Sequence, residues 1–261
     1  MSRWDPDSYL RFEHERTIPS RDLVARIDLR NPKAIIDVGC GPGNSTSVLR
    51  HAWPEAAVVG LDNSVEMIKK AQATYPEDRW ILADAADWQS DEKYDLVFSN
   101  ATLQWIPNNE KVLGHLYDQT SEKGALAAQV PFNVESPLLK AITIVSKKPK
   151  WRNLMKGCSD QIFYRDENYY YDALSRLSTR VELWITTYIH IMEGHQSLID
   201  WYSSTGLKIY LERIDTEDGR SQFKSEILEM CRAQYPTRQN GKVLFPFRRL
   251  FFIAYRTQAE T

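Results

Sequence analysis

In the first half of the chain, apolar residues gather into short runs separated by stretches where they recur every three or four positions. The runs at 34–38, 57–61, 79–82, 94–99 and 125–129 predict strands, and the patterns between them predict helices at 45–51, 64–75 and 110–120. This alternation implies a parallel sheet joined by right-handed crossovers. Ahead of it, residues 1–17 read as an irregular or partly helical arm. Residues 20 to about 30 read as a helix burying Leu23, Val24 and Ile27, with Pro32 as its stop.

After Val130 the rhythm changes. Pro131, Pro137 and Pro149 punctuate a basic and aromatic stretch, in which Lys147, Lys148, Pro149 and Lys150 read as a solvated basic loop. Then come a helix near 168–177, a strand at 181–189, helical patterns near 195–204 and 221–235, and a buried strand at 250–255. The two late strands can pair and finish the sheet, leaving about 191–246 as an insertion. The chain thus reads as a single domain, 1–261. Residues 1–130 make a nucleotide-type core with its arm, and residues 131–261 make a substrate-side elaboration with the final strands.

Composition narrows the class of function. The 261 residues are 43% hydrophobic and 26% charged, enough for a sizeable core. A formal net charge of -2 offers no general attraction to nucleic acid or an anionic membrane, so a small molecule is the expected partner, bound by a monomer or weak homo-oligomer. Cys40, Cys158 and Cys231 are scattered without paired spacing, which favours neither a disulfide framework nor a metal site and suits the cytoplasm. The N-terminal residues are too charged for a signal-peptide core, and no apolar run approaches the roughly 18 residues of a membrane span.

The chemistry concentrates after the first strand. The run Asp37-Val38-Gly39-Cys40-Gly41-Pro42-Gly43 passes from strand to glycine turn to the helix start at Asn44, Ser45 and Thr46. Such a turn lets backbone amides approach a ligand closely at the positive end of a helix. Asp62, with Asn63, follows the second strand about 20 residues on, where an acid accepts from ribose hydroxyls; the alternative is an N-cap for the helix near Ser64. Asp84 with Ala85 follows the third strand, with Asp87 as a competitor, and is placed to meet an adenine amino group. Asn100 follows the fourth strand and leads into a polar and aromatic loop ending at Trp105. A dinucleotide turn would have its third glycine where Asn44 stands, so a pyrophosphate is disfavoured.

Three acids after three strands, the first followed by alternating glycines, resemble the class I S-adenosylmethionine-dependent methyltransferases. Further stretches resemble the trans-aconitate methyltransferase family: Trp4-Asp5-Pro6 with Tyr9, Phe12, Glu15 and Arg16; Asn100 to Trp105; His195 to Trp201 with Thr205-Gly206-Leu207; and Gln234-Tyr235-Pro236 through Gly241 to Phe251. The resemblance implies a Rossmann-like α/β fold: a mostly parallel seven-stranded sheet, helices on both faces and a C-terminal helical insertion. It also implies S-adenosylmethionine as cofactor, with the glycine turn beside its methionine part. One departure stands out: Gln129-Val130-Pro131-Phe132-Asn133 occupies the place where the family pattern reads Gln-Met-Pro-Asp-Asn.

The implied reaction is methyl transfer to a carboxylate of a small polycarboxylic acid. A carboxylate with a pKa near 4 is already ionised at neutral pH, so no general base is demanded, and none is nominated. Arg16 and Arg249, with Arg248 as competitor, are candidates to grip carboxylates in the bidentate way a guanidinium allows. Tyr9 and Phe12 are candidates to close over the cofactor, and Trp105 and Trp201 to wall the acceptor site. The alternatives are another small acid or a hydroxyl as acceptor, and more remotely a NAD-dependent oxidoreductase.

Overall fold

The computed structural model describes residues 12–257. These form two compact units: residues 12–131, 165–186 and 250–257 make a core unit, and residues 132–164 and 187–249 make a second unit. The strands are β1 (Ala34–Val38), β2 (Ala57–Asp62), β3 (Arg79–Leu82), β4 (Tyr94–Asn100), β5 (Thr120–Pro131), β6 (Arg180–Met192) and β7 (Val243–Tyr255). They lie in one seven-stranded sheet ordered β3-β2-β1-β4-β5-β7-β6. β1 pairs in parallel with β2 on one side and β4 on the other, so the strand order reverses there. That crevice, beyond the carboxyl ends of β1 and β4, is where an open α/β sheet binds ligands.

The central strands form because they are continuously apolar. Ile35, Ile36, Val38, Leu96, Val97, Phe98 and Ala125 to Ala128 are each at most 0% exposed. Successive side chains on a strand point to opposite faces, so such runs require cover on both sides, as parallel sheets have. Each fully buried Ile, Leu or Phe contributes about 1.5–3 kcal/mol. Asp95 then joins three strands at their other end, accepting from the amides of Lys33 and Ala34 and from Ser121 Oγ.

In the core unit, α1 (Glu13–Val24), α2 (Asn44–Ala52), α3 (Val65–Thr74), α4 (Asn109–Asp118) and α6 (Glu167–Ser175) are the helices, α5 (Pro137–Ser146) belonging to the second unit. α1 corrects the expected helix at 20–30: it starts and ends earlier, with Pro19 inside it. Burial of Arg16, Thr17 and Ser20 along this stretch outweighs the backbone bond that Pro19 removes. The chain then leaves the helix, and Asp28 N–H donates to Tyr255 Oη. Ser64 caps α3 by accepting from Met67 N–H, so the N-cap considered for Asp62 belongs to Ser64.

The second unit holds α5, α7 (His195–Ser203), α8 (Lys208–Leu211) and α9 (Glu217–Arg232), with parts of β6 and β7. Ser136 caps α5 through Leu139 N–H, and Pro137 suits its first turn. The lysine stretch after α5 is tethered to α9 and not merely solvated: Lys148 Nζ lies 2.8 Å from Glu226 Oε2, and Lys150 Nζ donates to Gln222. β7 is longer than the apolar run 250–255 predicts. Its first half alternates buried Phe245, Phe247 and Arg249 with exposed Pro246 and Arg248. That period of two was hidden by the two arginines. β7 runs antiparallel to β5, since Lys123 N–H donates to Arg256 O at one end and Phe132 N–H to Arg248 O at the other.

Candidate functional site

The glycine turn leaves β1 in the left-handed region, with φ +75 at Gly39, +56 at Gly41 and +100 at Gly43. A side chain at Gly39 would strike Thr102, and one at Gly43 would come within 2.8 Å of Trp80. At Gly41 the space beside the backbone is open. The turn is pinned to the end of β2: Gly39 and Cys40 amides donate to Leu61 O, and the Gly41 amide donates to Asp62 Oδ2 at 2.9 Å. Asp62 Oδ1 accepts from Ser64 N–H at 2.8 Å. Burial pushes the Asp62 pKa up, while the amides of Ser64, Gly41 and Asn63 act against it.

Asp37 stands beneath the turn, fully buried. Its Oδ2 accepts from Ser45 Oγ at 2.6 Å and from Thr46 Oγ1 at 2.7 Å, which ties β1 to the first turn of α2. Its Oδ1 has no hydrogen-bond partner among the described residues. Burial raises the Asp37 pKa to about 6 against the lowering effect of the two hydroxyls. In sequence Asp37 stands out only as the acid heading the glycine run; that its carboxylate is buried beneath the turn is a property of the fold.

β4 supplies the third side. Asn100 Oδ1 is buried without a hydrogen-bond partner among the described residues. Ala101 follows at φ +57, a strained conformation for a residue with a Cβ, and its N–H donates to Gln129 O on β5. Thr102 Oγ1 lies 3.3 Å from both Gly39 O and Asn100 O, joining this loop to the glycine turn. Leu103–Trp105 makes one 3-10 turn, with Trp105 N–H donating to Thr102 O. No periodicity signals the roles of Ala101 and Thr102 within this loop.

The structure therefore brings Gly39, Cys40, Gly41, Asp62 and Asn100 together. Asp84 and Ala85 follow β3, whose neighbour Ala83 donates to Asp62 O; Asp84 is exposed, its Oδ1 accepting from Ala86 N–H, and Ala85 is buried. Asn63 is exposed beside Asp62. Arg16 is 6% exposed, with its guanidinium 5.9 Å from the Phe12 ring centre. Tyr9 lies outside the described residues.

In the second unit, Trp201 and Arg249 are 3% and 4% exposed. Arg249 stands over the Phe247 ring at 4.8 Å, and Trp201 lies 4.7 Å from the His190 ring. A cavity of about 380 Å³ opens nearby in this unit, lined among others by Phe132, Asn133, Tyr235 and Arg248. Phe132, the departure from the family pattern, stacks there under Arg248 at 4.9 Å. Among the described residues, no group of three or more His, Cys, Asp or Glu side chains is placed to hold a metal ion, and no helix is long and apolar enough to cross a membrane.

The sheet order, the glycine turn and the acid at the end of β2 define a nucleoside-binding α/β enzyme, and residues 29–176 match the family model described as a methyltransferase domain. This is an S-adenosylmethionine-dependent O-methyltransferase. Over 99% of its length the chain is 38% identical to the trans-aconitate 2-methyltransferases of Escherichia fergusonii and Shigella flexneri, matching 100% of each. The chain belongs to the trans-aconitate 2-methyltransferase family. Among solved structures it resembles a Bacillus halodurans protein described as a methyltransferase (TM-score 0.60, 13% identity, 92% of this chain and 99% of that one). It also resembles a phosphoethanolamine N-methyltransferase of Haemonchus contortus in complex with S-adenosylhomocysteine (TM-score 0.58, 13% identity, 92% of this chain and 53% of that one). At these identities the likeness is one of fold.

The residues present fit the cofactor. Asp37 Oδ1, Asn100 Oδ1 and the Asp62 carboxylate are acceptors, the complement of a ligand that brings an ammonium and hydroxyl donors. The open approach at Gly41 leaves room beside the turn. Membership of this family displaces the NAD-dependent alternative.

Proposed function

We propose that the chain esterifies a carboxylate of a small polycarboxylic acid, with trans-aconitate as the acceptor. The observation that carries this is full-length identity of 38% to proteins named for that reaction, which extends through the second unit as well as the core. The buried guanidinium of Arg249, over the Phe247 ring, adds a cation suited to a carboxylate.

When bound, S-adenosylmethionine supplies an electrophilic sulfonium methyl group: a carboxylate oxygen forms the new O–CH3 bond as the S–CH3 bond breaks, its electron pair stays on sulfur, and no proton moves. In this reading Gly39, Cys40, Gly41 and Gly43 hold the methionine part, Asp62 and Asn63 the ribose, and Asp84 and Ala85 the adenine. Asn100 and Trp105 line the cofactor side. Tyr9 and Phe12 close over the cofactor. In the core unit Arg16 holds an acceptor carboxylate and Trp105 is an acceptor-side wall; in the second unit Arg249 is assigned to an acceptor carboxylate and Trp201 to a wall. Because the nucleophile is already ionised, these residues act by alignment, which can supply on the order of 7–11 kcal/mol. We place the reaction in the cytoplasm, in keeping with three buried free thiols.

A methyl-transfer assay with labelled S-adenosylmethionine tests this, comparing trans-aconitate, its cis isomer and monocarboxylic acids. A base-labile methyl ester of trans-aconitate is expected. Transfer to a monocarboxylic acid or a hydroxyl compound in preference would replace the acceptor assignment.

A further inference from the structure

His190 lies on β6 and is 5% exposed. Its ring is boxed by aromatic neighbours of the same unit: Trp201 at 4.7 Å, Phe247 at 6.2 Å and Phe245 at 6.3 Å. Inside this box Nε2 has no hydrogen-bond partner among the described residues. A buried polar nitrogen that meets only rings is a costly element of a core, and an apolar ring would fill the space without that cost. Its surroundings point to a ligand. Arg249, two residues beyond Phe247, lies close enough to influence His190 electrostatically. It follows Arg248, whose carbonyl accepts from Phe132 N–H just past the end of β5.

We infer that His190 is an acceptor-recognition residue that shares one substrate carboxylate with Arg249: the guanidinium supplies the charge and imidazole Nε2–H supplies a second, neutral donor. This rests on the polycarboxylate reading above and names a residue of that site. A neutral imidazole adds a donor without bringing a further charge into the aromatic box, where burying a charge is costly. The imidazole does remain neutral at pH 7, because burial and then Arg249 push its pKa down to about 4. Its protonated form is disfavoured by the same cation that attracts the substrate. Tyr202, also fully buried and coupled to Arg249, is held near Asn133 and Ser136 and keeps its own proton. Tyr188 stacks on the His190 ring at 6.3 Å, and the remaining neighbours, Trp201, Phe245 and Phe247, carry no charge.

The test compares wild type with His190→Phe and His190→Gln. Phenylalanine keeps the ring packing and removes Nε2; glutamine returns an N–H donor near the same place. Expected for His190→Phe is a KM for trans-aconitate raised tenfold or more, an unchanged Kd for S-adenosylhomocysteine by calorimetry, and a Tm no lower than wild type. His190→Gln should recover part of the KM. Acceptor KM within twofold of wild type in His190→Phe, or an equal loss of S-adenosylhomocysteine affinity, would overturn the role of His190 alone. A wild-type enzyme that methylates no polycarboxylic acid would overturn the acceptor reading and this inference together.

Discussion

The Gly41 amide and the Asp62 carboxylate, 21 residues apart in sequence, meet in a 2.9 Å hydrogen bond that locks the glycine turn to the end of β2. Asp62 thus has two duties: it shapes the turn and, in the proposed site, holds the ribose. Hydrogen bonds to a charged group contribute about 1.5–3 kcal/mol each, so Asp62→Ala should weaken S-adenosylhomocysteine binding roughly 10- to 100-fold. Calorimetric titration measures this. Unchanged affinity would mean that the carboxylate serves the turn only.

The three glycines are not equivalent. Gly39→Ala meets both a left-handed φ of +75 and the Thr102 side chain, whereas Gly41→Ala at φ +56 meets open space. The conformational part costs about 1–2 kcal/mol in either case. Gly39→Ala should therefore lower Tm more than Gly41→Ala, and adding Thr102→Gly should relieve the steric part more fully than Thr102→Ala, which keeps the Thr102 Cβ at 2.5 Å from the added methyl. Gly41→Ala should act chiefly on cofactor affinity, because the added methyl projects where the backbone is approachable. Thermal melts with and without S-adenosylhomocysteine separate the two effects.

Arg249 is predicted to act on the acceptor. Arg249→Ala should raise the KM for trans-aconitate at least tenfold while changing the KM for S-adenosylmethionine little. Arg249→Lys should recover little, because an ammonium lacks the planar fork that bonds a carboxylate twice. Small and equal changes in both KM values would remove Arg249 from the acceptor site.

The pH dependence of stability contains two opposing contributions. His190 has a folded pKa of about 4, below the usual 6.5, so the unfolded chain binds the proton first as pH falls. Its contribution is complete above about pH 6.5 and is lost on descending towards pH 4, on the order of 2–3 kcal/mol by the lower limit. Asp37 has the opposite sign: with its pKa raised to about 6 from 3.8, the folded state binds the proton first and gains stability as pH falls through that window. His190→Phe should therefore lose less stability than wild type between pH 7 and 4.5 in urea denaturation. Asp37→Asn should lose more. Identical pH slopes in all three proteins would contradict both assignments.

Much of the core was legible because its causes are local. The apolar runs of β1, β2, β3 and β4 appear within a residue of where periodicity predicts them, and the turn that follows β1 needs glycine wherever φ is positive. The helix at α1 and the length of β7 were misjudged for a common reason: Pro19 and the pair Arg248 and Arg249 look like interruptions locally, yet burial carries the elements through them. Lys148, which reads as solvated, is held by Glu226, 78 residues away.

The order of residues was enough to show a strand–glycine turn–helix unit, acids after successive strands and the methyltransferase family they resemble, because side-chain period and backbone freedom act over a few neighbouring positions. Only the tertiary structure showed that Gly41 takes Asp62 as its acceptor, that Thr102 fills the space Gly39 leaves, and that His190 is buried among aromatic rings. These depend on which distant segments meet and how completely they exclude water, and desolvation is a property of the assembled surroundings that no single stretch of chain carries.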